Sequence, residues 1–237
     1  MSIWLDEVDS TNEEAKRRAA AGEAGPLWIA ARRQTQGRGR RGNEWQSLRG
    51  NLFTSLLCRP EGSASRCAQL SFAAALAVSD MLAQVAPSAG IRLKWPNDVL
   101  ADGRKIAGIL LESESGADGG LKWLVLGIGV NLAASPQRTE IPAISLAELG
   151  VAPPDPADAL DRLVTAFAKW YEVWLKDGFA PLREAWLSRS VGLGSRIRVR
   201  LPKEEIQGVF RDIDDNGSLV LGLPGSVRTI AAGEVFL

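Results

Sequence analysis

The run "CAQLSFAAALAVSDMLAQV", residues 67–85, constrains the fold of this 237-residue chain more than any other segment. Small and apolar residues continue around every turn, and a helix apolar on all sides must be enclosed by the rest of its domain. Strand-like segments surround it in sequence. A short apolar stretch covers Ile3 to Leu5, followed by "PLWIAARRQ", "NLFTSLLC", "IRLKW", "VLADGRKIAGILLES" and "GGLKWLVLGIGVNL". Asp102-Gly103 inside the fifth is a two-residue hairpin signal. Before the second strand, "DSTNEEAKRRAA" offers Ser10 or Thr11 as an N-cap with Glu13 or Glu14 three residues on, which predicts a helix over about Asn12 to Ala21. From Asp158 to about Ser188 the pattern is helical, interrupted near Asp177-Gly178, with Trp170, Trp174 and Trp186 available to pack on the sheet.

The last part changes period. "SRIRVRL" alternates strictly, "IQGVFRDI" follows, and Asn216-Gly217 is a hairpin signal before another alternating run. Two domains are expected: residues 1–189 as an α+β domain with a mixed β-sheet and packed helices, and residues 190–237 as a small β-barrel.

Composition narrows the chemistry. The 28 basic and 28 acidic residues cancel, so no whole-molecule field favours nucleic acid or an anionic membrane. The chain has no histidine, which removes Ser-His and Cys-His nucleophiles, His-containing zinc sites and the usual general base. Cys58 and Cys67 read as small buried hydrophobes rather than a disulfide. The acidic N-terminus does not read as a secretory signal, and no segment reads as transmembrane; a cytoplasmic location is expected.

Three clusters carry candidate chemistry. In "QTQGRGRRGNEW", Gly37 to Gly42 satisfy the G-x-G-x-x-G spacing, but the segment lies between two strands with no helical period after it, so the dinucleotide reading fails, as does a Walker A reading. What survives is a flexible loop with Arg38, Arg40 and Arg41, each able to fork two donors onto an anion, or else a solvated basic turn. Trp45 beyond it can stack on a purine or pack in the core. In "KWPNDVLADGRKIAGI", Lys94, Asn97 and Asp98 surround a proline turn, and alternation puts Lys105 and Ala107 on the face opposite Ile106, with Gly108 leaving room for a ligand. The alternative is a hairpin with solvated lysines. In "GIGVNL", small residues at a strand exit permit close approach, and Asn131 either bonds a ligand or ends the strand.

In this order and spacing "DSTN", "QTQGRGRRG", "KWPNDV", "RKIAGIL" and "GIGVNL" resemble the biotin protein ligase family, and the terminal β-module resembles that family's SH3-like domain. The resemblance implies the biotin-lipoate ligase fold, akin to class II aminoacyl-tRNA synthetases, and two half-reactions: biotin and Mg-ATP give biotinyl-5′-AMP and pyrophosphate, then a lysine of a biotin carboxyl carrier protein takes the biotinyl group. It implies that Ser10, Thr11, Asn12 and Gln34, with Gly37, Arg38, Gly39, Arg40, Lys105, Gly108 and Gly127, hold biotin. Arg38, Arg40, Arg41, Trp45, Lys94, Asn97, Lys105 and Asn131 would meet ATP or the adenylate, with 143–146 covering adenine.

Lys105, Arg40 and Asp98 are the implied catalytic set. Asp98 either holds Mg²⁺ or helps deprotonate the acceptor lysine, whose ordinary pKa is about 10.4. The Arg loop is expected to be mobile without ligand. Bifunctional members carry a helix-turn-helix; "DSTN" starts at Asp9 and leaves no room for one, so a monofunctional ligase without DNA binding is expected and a homodimer is left open. A lipoate or octanoate ligase of the same superfamily and a non-catalytic nucleic-acid or peptide adaptor are the alternatives.

Overall fold

The computed structural model describes residues 1–116, 120–137 and 139–237. Seven strands form the main sheet: β1 (Ser2–Val8), β2 (Leu27–Gln34), β3 (Leu52–Cys58), β4 (Arg92–Lys94), β5 (Asp98–Ala101), β6 (Arg104–Ser115) and β7 (Leu121–Val130). Their order is β1-β2-β3-β7-β6-β5-β4. The β1–β2 pair is parallel and needs a crossover. Helix α1 (Thr11–Ala20) provides it, setting Ala15 and Ala19 against Leu27, Ile29, Leu57 and Val125 on one face of the sheet.

The other face is covered by the apolar run. It forms α2 (Ala64–Ala68) and α3 (Leu70–Val85), parted at Gln69. Of α3, residues such as Leu70, Leu76, Met81 and Leu82 are fully enclosed, and truncating one leucine of this kind costs about 2–5 kcal/mol. Residues 64–85 are long and apolar enough by composition to cross a membrane, but 67% of their most apolar 18-residue stretch is buried inside the protein. Helices α4 (Pro156–Asp177) and α5 (Ala180–Arg189) lie outside α3. The three tryptophans therefore meet the α2–α3 segment, and not the sheet on which the sequence placed them. Trp170 Nε1 donates to Asp80, Trp174 Nε1 to Gln69, and Trp186 packs edge-on against Phe72. Phe167 is the aromatic of α4 that reaches the sheet, at Trp28.

Two local features position the site. Asp102 (φ 48°) and Gly103 (φ 74°) make the tight turn between β5 and β6. Beyond it, Leu100 pairs with Lys105 and Val99 with Ala107, so Ile106 is an extra residue in a β-bulge. The bulge corrects the simple alternation: Ile106 and Ala107 both enter the core, and Lys105 shares its side of the strand with Gly108. An inserted residue resets which face each later side chain takes.

The C-terminal part contains β8 (Arg196–Arg200), β9 (Glu205–Ile213), β10 (Leu219–Leu223), β11 (Ser226–Ile230) and β12 (Glu234–Phe236), in the order β11-β10-β9-β8-β12. All described pairings are antiparallel. The expected small SH3-like β-barrel is this five-stranded antiparallel sheet, with no closing β11–β12 ladder among the described residues. β11 and β12 are its two edges yet only residues 231–233 join them, a span of about 10 Å, so the sheet must curl without completing the last ladder. At the Asn216-Gly217 hairpin, Asp214 Oδ1 accepts from the N–H of Asn216 and of Ser218. Gly217 lies against the Phe72 ring and accepts from Trp95 Nε1. Ile197, Val199 and Phe210 accordingly belong to the same buried cluster as Trp95 and Trp186.

Candidate active site

A cleft with about 840 Å³ of space, part of it open to solvent, runs across the main sheet toward β12. Ser10, Thr11 and Asn12 form its floor where α1 begins, and all three are buried. Ser10 is the N-cap residue, but its side chain makes no capping bond, so the expected capping box does not form. The polar groups at this helix end serve the cleft instead. Thr11 N donates to Gln34 Oε1 at 2.9 Å, and Thr11 Oγ1 lies 3.2 Å from the same oxygen. Ser55 Oγ, from β3, sits 2.7 Å from Thr11 Oγ1 and 2.5 Å from Asn12 Oδ1. Asn12 Nδ2 donates to Glu112 Oε2 at 2.8 Å. A Cβ on Gly127 would fall 2.2 Å from Asn12 Oδ1, so the floor requires glycine there.

Ser55 and Glu112 escaped the sequence reading. Each had a faint signal: Ser55 is a hydroxyl inside the apolar run "NLFTSLLC", and Glu112 is a charge closing "RKIAGILLE".

The Arg loop forms one wall. Gly39 N donates to Asn43 O and Trp45 N to Gly37 O, with a single 3₁₀ turn at Arg40–Gly42 in which Arg41 has φ 57°. The loop leads into β3 and opens no helix, so the dinucleotide pattern is coincidental. Its members part company. Arg38 pairs with Glu13 and Glu112. Arg40 is half-buried, 3.2 Å from Asn97 Oδ1 and 3.4 Å from Gly233 O. Burial, then the Arg41 charge, push its pKa below the ordinary arginine value, against Asp98 and Glu234. Arg41 leaves the cleft and reaches Arg200 O. Gly37 is buried behind the wall, where a Cβ would strike Trp45 O at 2.4 Å; it closes the loop and does not line the cleft.

The Trp45 ring lies over Gly129 and Gly108, where a Cβ would approach it to 2.4 and 3.0 Å. Its Nε1 is buried with no hydrogen-bond partner among the described residues.

At the cationic end, Lys105 Nζ is 2.6 Å from Asp98 Oδ1 and Lys94 Nζ is 3.5 Å from Asp98 Oδ2. Lys94 and Asp98 are buried; the Lys105 side chain keeps 24% exposure and lies 5.7 Å over the Trp45 ring. Asn97 is clipped to Ile109 by both its side chain and its backbone, which turns its Oδ1 toward Arg40. Lys105 N donates to Pro142 O and Ile144 N donates to Lys105 O, fastening segment 142–146 beside the cleft. Asn131 is buried and donates to Ile144 O; it holds that segment in place. A second compartment, about 940 Å³ and likewise partly open, shares Trp45 and Lys105 with the first and adds Asn131, Thr139 and Ala143. Glu234 of β12 lines both compartments, a contribution of the C-terminal sheet that spacing along the chain did not reveal.

A resident magnesium does not fit this donor set. Both Asp98 oxygens face lysine ammoniums, and among the described residues no three or more His, Cys, Asp or Glu side chains gather as a metal site. What the cleft can do is hold a neutral polar head at its floor and gather anions at its other end, the layout of a ligase that activates an acid without an enzyme nucleophile.

The comparisons agree with that class. Residues 4–131 match the Biotin/lipoate A/B protein ligase family and residues 192–237 the Biotin protein ligase C terminal domain. The chain is 46% identical to the biotin–[acetyl-CoA-carboxylase] ligase of Paracoccus denitrificans, covering 98% of each. It is 37% identical to the ligase of the same name from Mycobacterium tuberculosis, covering 97% of this chain and 86% of that one. It superposes on the biotin protein ligase from Aquifex aeolicus in complex with biotin and ATP with a TM-score of 0.83 and 28% identity, covering 99% and 97%. The chain belongs to the biotin protein ligases of the biotin/lipoate ligase family.

Proposed function

We propose that this cleft joins biotin to ATP and then to a carrier lysine. A biotin carboxylate oxygen attacks the α-phosphorus, the bond to pyrophosphate breaks, and biotinyl-5′-AMP remains; the acceptor lysine amine then attacks its carbonyl and AMP departs. The observation that carries the reading is the polarity of one continuous cleft, with Thr11, Asn12 and Gln34 at a closed floor and Lys94, Lys105 and Arg40 gathered at the other end. The floor suits a ureido ring. An alkyl chain, as in octanoate or lipoate, would desolvate the same groups and give no hydrogen bonds in return.

The first step brings two anions together, so countercharge and alignment dominate its barrier. Arg40 and Lys105 supply charge at the carboxylate and phosphates, and Lys94 supports them from behind Asp98. Holding the two reacting groups in line can contribute up to roughly 7–11 kcal/mol. Asp98 keeps the two lysines aimed into the cleft. Magnesium enters with the nucleotide as part of the substrate and is held through its phosphates. Trp45 and segment 143–146 face the adenylate in the second compartment, and Arg38 closes over biotin once its carboxylate partners release it. The domain division at 189/190, a cytoplasmic location and a biotin carboxyl carrier domain as acceptor complete the proposal. Arg38 and Arg40 face carboxylates and carbonyls of the protein rather than forming an outward basic face, and no DNA-binding duty is proposed.

The test is incubation with Mg-ATP and either biotin or lipoate, with pyrophosphate release and acceptor mass as readouts. Biotin-dependent release and an acceptor gain of one biotinyl group are expected. Release with lipoate alone, or with neither acid, would defeat the reading.

A further inference from the structure

Glu112 touches three side chains of the floor and wall: Asn12 Nδ2 at 2.8 Å, Lys16 Nζ at 2.7 Å and Arg38 Nη2 at 2.8 Å. An ionised carboxylate only accepts hydrogen bonds, and that sets off a chain of consequences. Asn12 must turn its amide nitrogen to Glu112, so its oxygen faces Ser55. The Ser55 hydroxyl has one proton, and Asn12 Oδ1, 2.5 Å away, has none to offer; the proton goes there. Toward Thr11, at 2.7 Å, Ser55 then presents only a lone pair. The Thr11 proton is taken either by Ser55 or by Gln34 Oε1 at 3.2 Å. In both arrangements it stays inside the protein, and Thr11 Oγ1 turns a lone pair to the cleft it lines.

We propose that Glu112 is a positioning residue that fixes the hydrogen-bond polarity of the floor, so that Thr11 Oγ1 meets the ligand as an acceptor for a ureido N–H. The proposal rests on the reading of this cleft as a biotin site. Its physical basis is that Asn12, Ser55 and Thr11, buried in series, keep a Thr11 lone pair turned outward in every proton arrangement open to them while the outer end is an anion, and lose that constraint when that end can also donate. Burial pushes the Glu112 carboxyl up, but hydrogen bonds from Lys16 and Asn12 and the charges of Lys16 and Arg38 bring it below the ordinary value. The group is an anion at neutral pH.

The experiment uses the full chain without ATP and measures by calorimetry the binding of biotin and of two derivatives, each methylated on one ureido nitrogen. The wild type is expected to prefer biotin over at least one derivative by roughly 10- to 100-fold. Glu112→Gln keeps the size and can donate, so biotin binding is expected to weaken by about tenfold or more while the blocked derivative changes less than about twofold, and the preference collapses. Ser55→Ala cuts the series in its middle and leaves the Glu112–Arg38 pair intact. It is expected to reproduce the collapse, and the double variant to be no worse than Ser55→Ala alone. Equal weakening of biotin and the derivatives in Glu112→Gln, additive losses in the double variant, or a wild type that binds all three ligands alike would overturn the proposal. A wild type that binds none of them would overturn the biotin reading itself.

Discussion

At the floor of the cleft the polar side chains are joined to one another through Ser55, Thr11, Asn12, Gln34 and Glu112, whereas at the other end Lys94 and Lys105 are held by one carboxylate, Asp98. The floor is built from helix and strand, and its Thr11, Asn12 and Ser55 are buried. The cationic end is charged beyond what its own carboxylate balances and is walled by a glycine-rich loop. A neutral head group is recognised by fixed hydrogen bonds, each leaving a penalty if unmatched. Two anions need countercharge that can follow them as bonds form and break. Under the proposed function, the difference assigns recognition to the interlocked floor and activation to the loop-walled end.

The sharpest way to break that comparison is Lys105→Ala. Adenylate formation is expected to slow by about 10²–10³-fold, measured as single-turnover pyrophosphate release, while biotin affinity measured without ATP changes by less than about threefold. Equal losses would make Lys105 a holder of biotin and erase the division. The counterpart at the floor is Gly127→Ala, whose methyl would meet Asn12 Oδ1 at 2.2 Å. Biotin binding is expected to weaken by roughly 10–100-fold with ATP binding within about twofold; calorimetry with each substrate alone separates them.

Next in size is the loop itself. Proteolytic cleavage within 37–45 is expected to slow by about tenfold when biotinyl-5′-AMP is bound, because ordering the wall over the ligand closes the backbone to the protease. Equal cleavage rates with and without the adenylate would show a wall as fixed as the floor.

The smallest expected effect lies away from both ends, at Cys58 of β3. Burial, with the nearby Cys67, pushes the Cys58 thiol up from 9.0 to about 12. A pKa raised in the folded state means that the proton is bound more tightly there than in the unfolded chain. The stabilisation is full below pH 9.0 and is lost as pH rises toward about 12. Denaturant unfolding at pH 8 and pH 10.5 is expected to show a decline that is smaller in Cys58→Ala. An unchanged decline would assign the alkaline loss to other groups.

Much of the site could be read before the fold was known, for a physical reason. A backbone that must approach a ligand, a tight turn and a clustered charge each demand particular residue types at short spacing, so Ser10 to Asn12, Arg38 to Arg40, Lys94 to Asp98 and Lys105 stand close together in sequence in the same groups that line the cleft. Helix α1, the strands and the hairpin at Asp102-Gly103 were legible through period and turn chemistry. Capping was not. The spacing around Ser10 resembles a capping box, but the same oxygens face Gln34 and the cleft, and a one-dimensional pattern cannot tell which partner wins. Ile106 likewise required the partner strand to be known, because a bulge is a property of a pair.

The sequence by itself determined that an all-apolar helix would be enclosed and that no histidine chemistry operates; these follow from composition and from local backbone rules. Only the tertiary structure decided that Arg41 leaves the cleft while Arg40 stays, that Asp98 answers two lysines, and that Ser55, Glu112 and Glu234 join a site assembled from three distant parts of the chain. Those outcomes depend on which strands lie side by side and where the C-terminal sheet docks. Contacts between residues 43 to 193 positions apart are set by packing, and neither spacing nor composition encodes them locally.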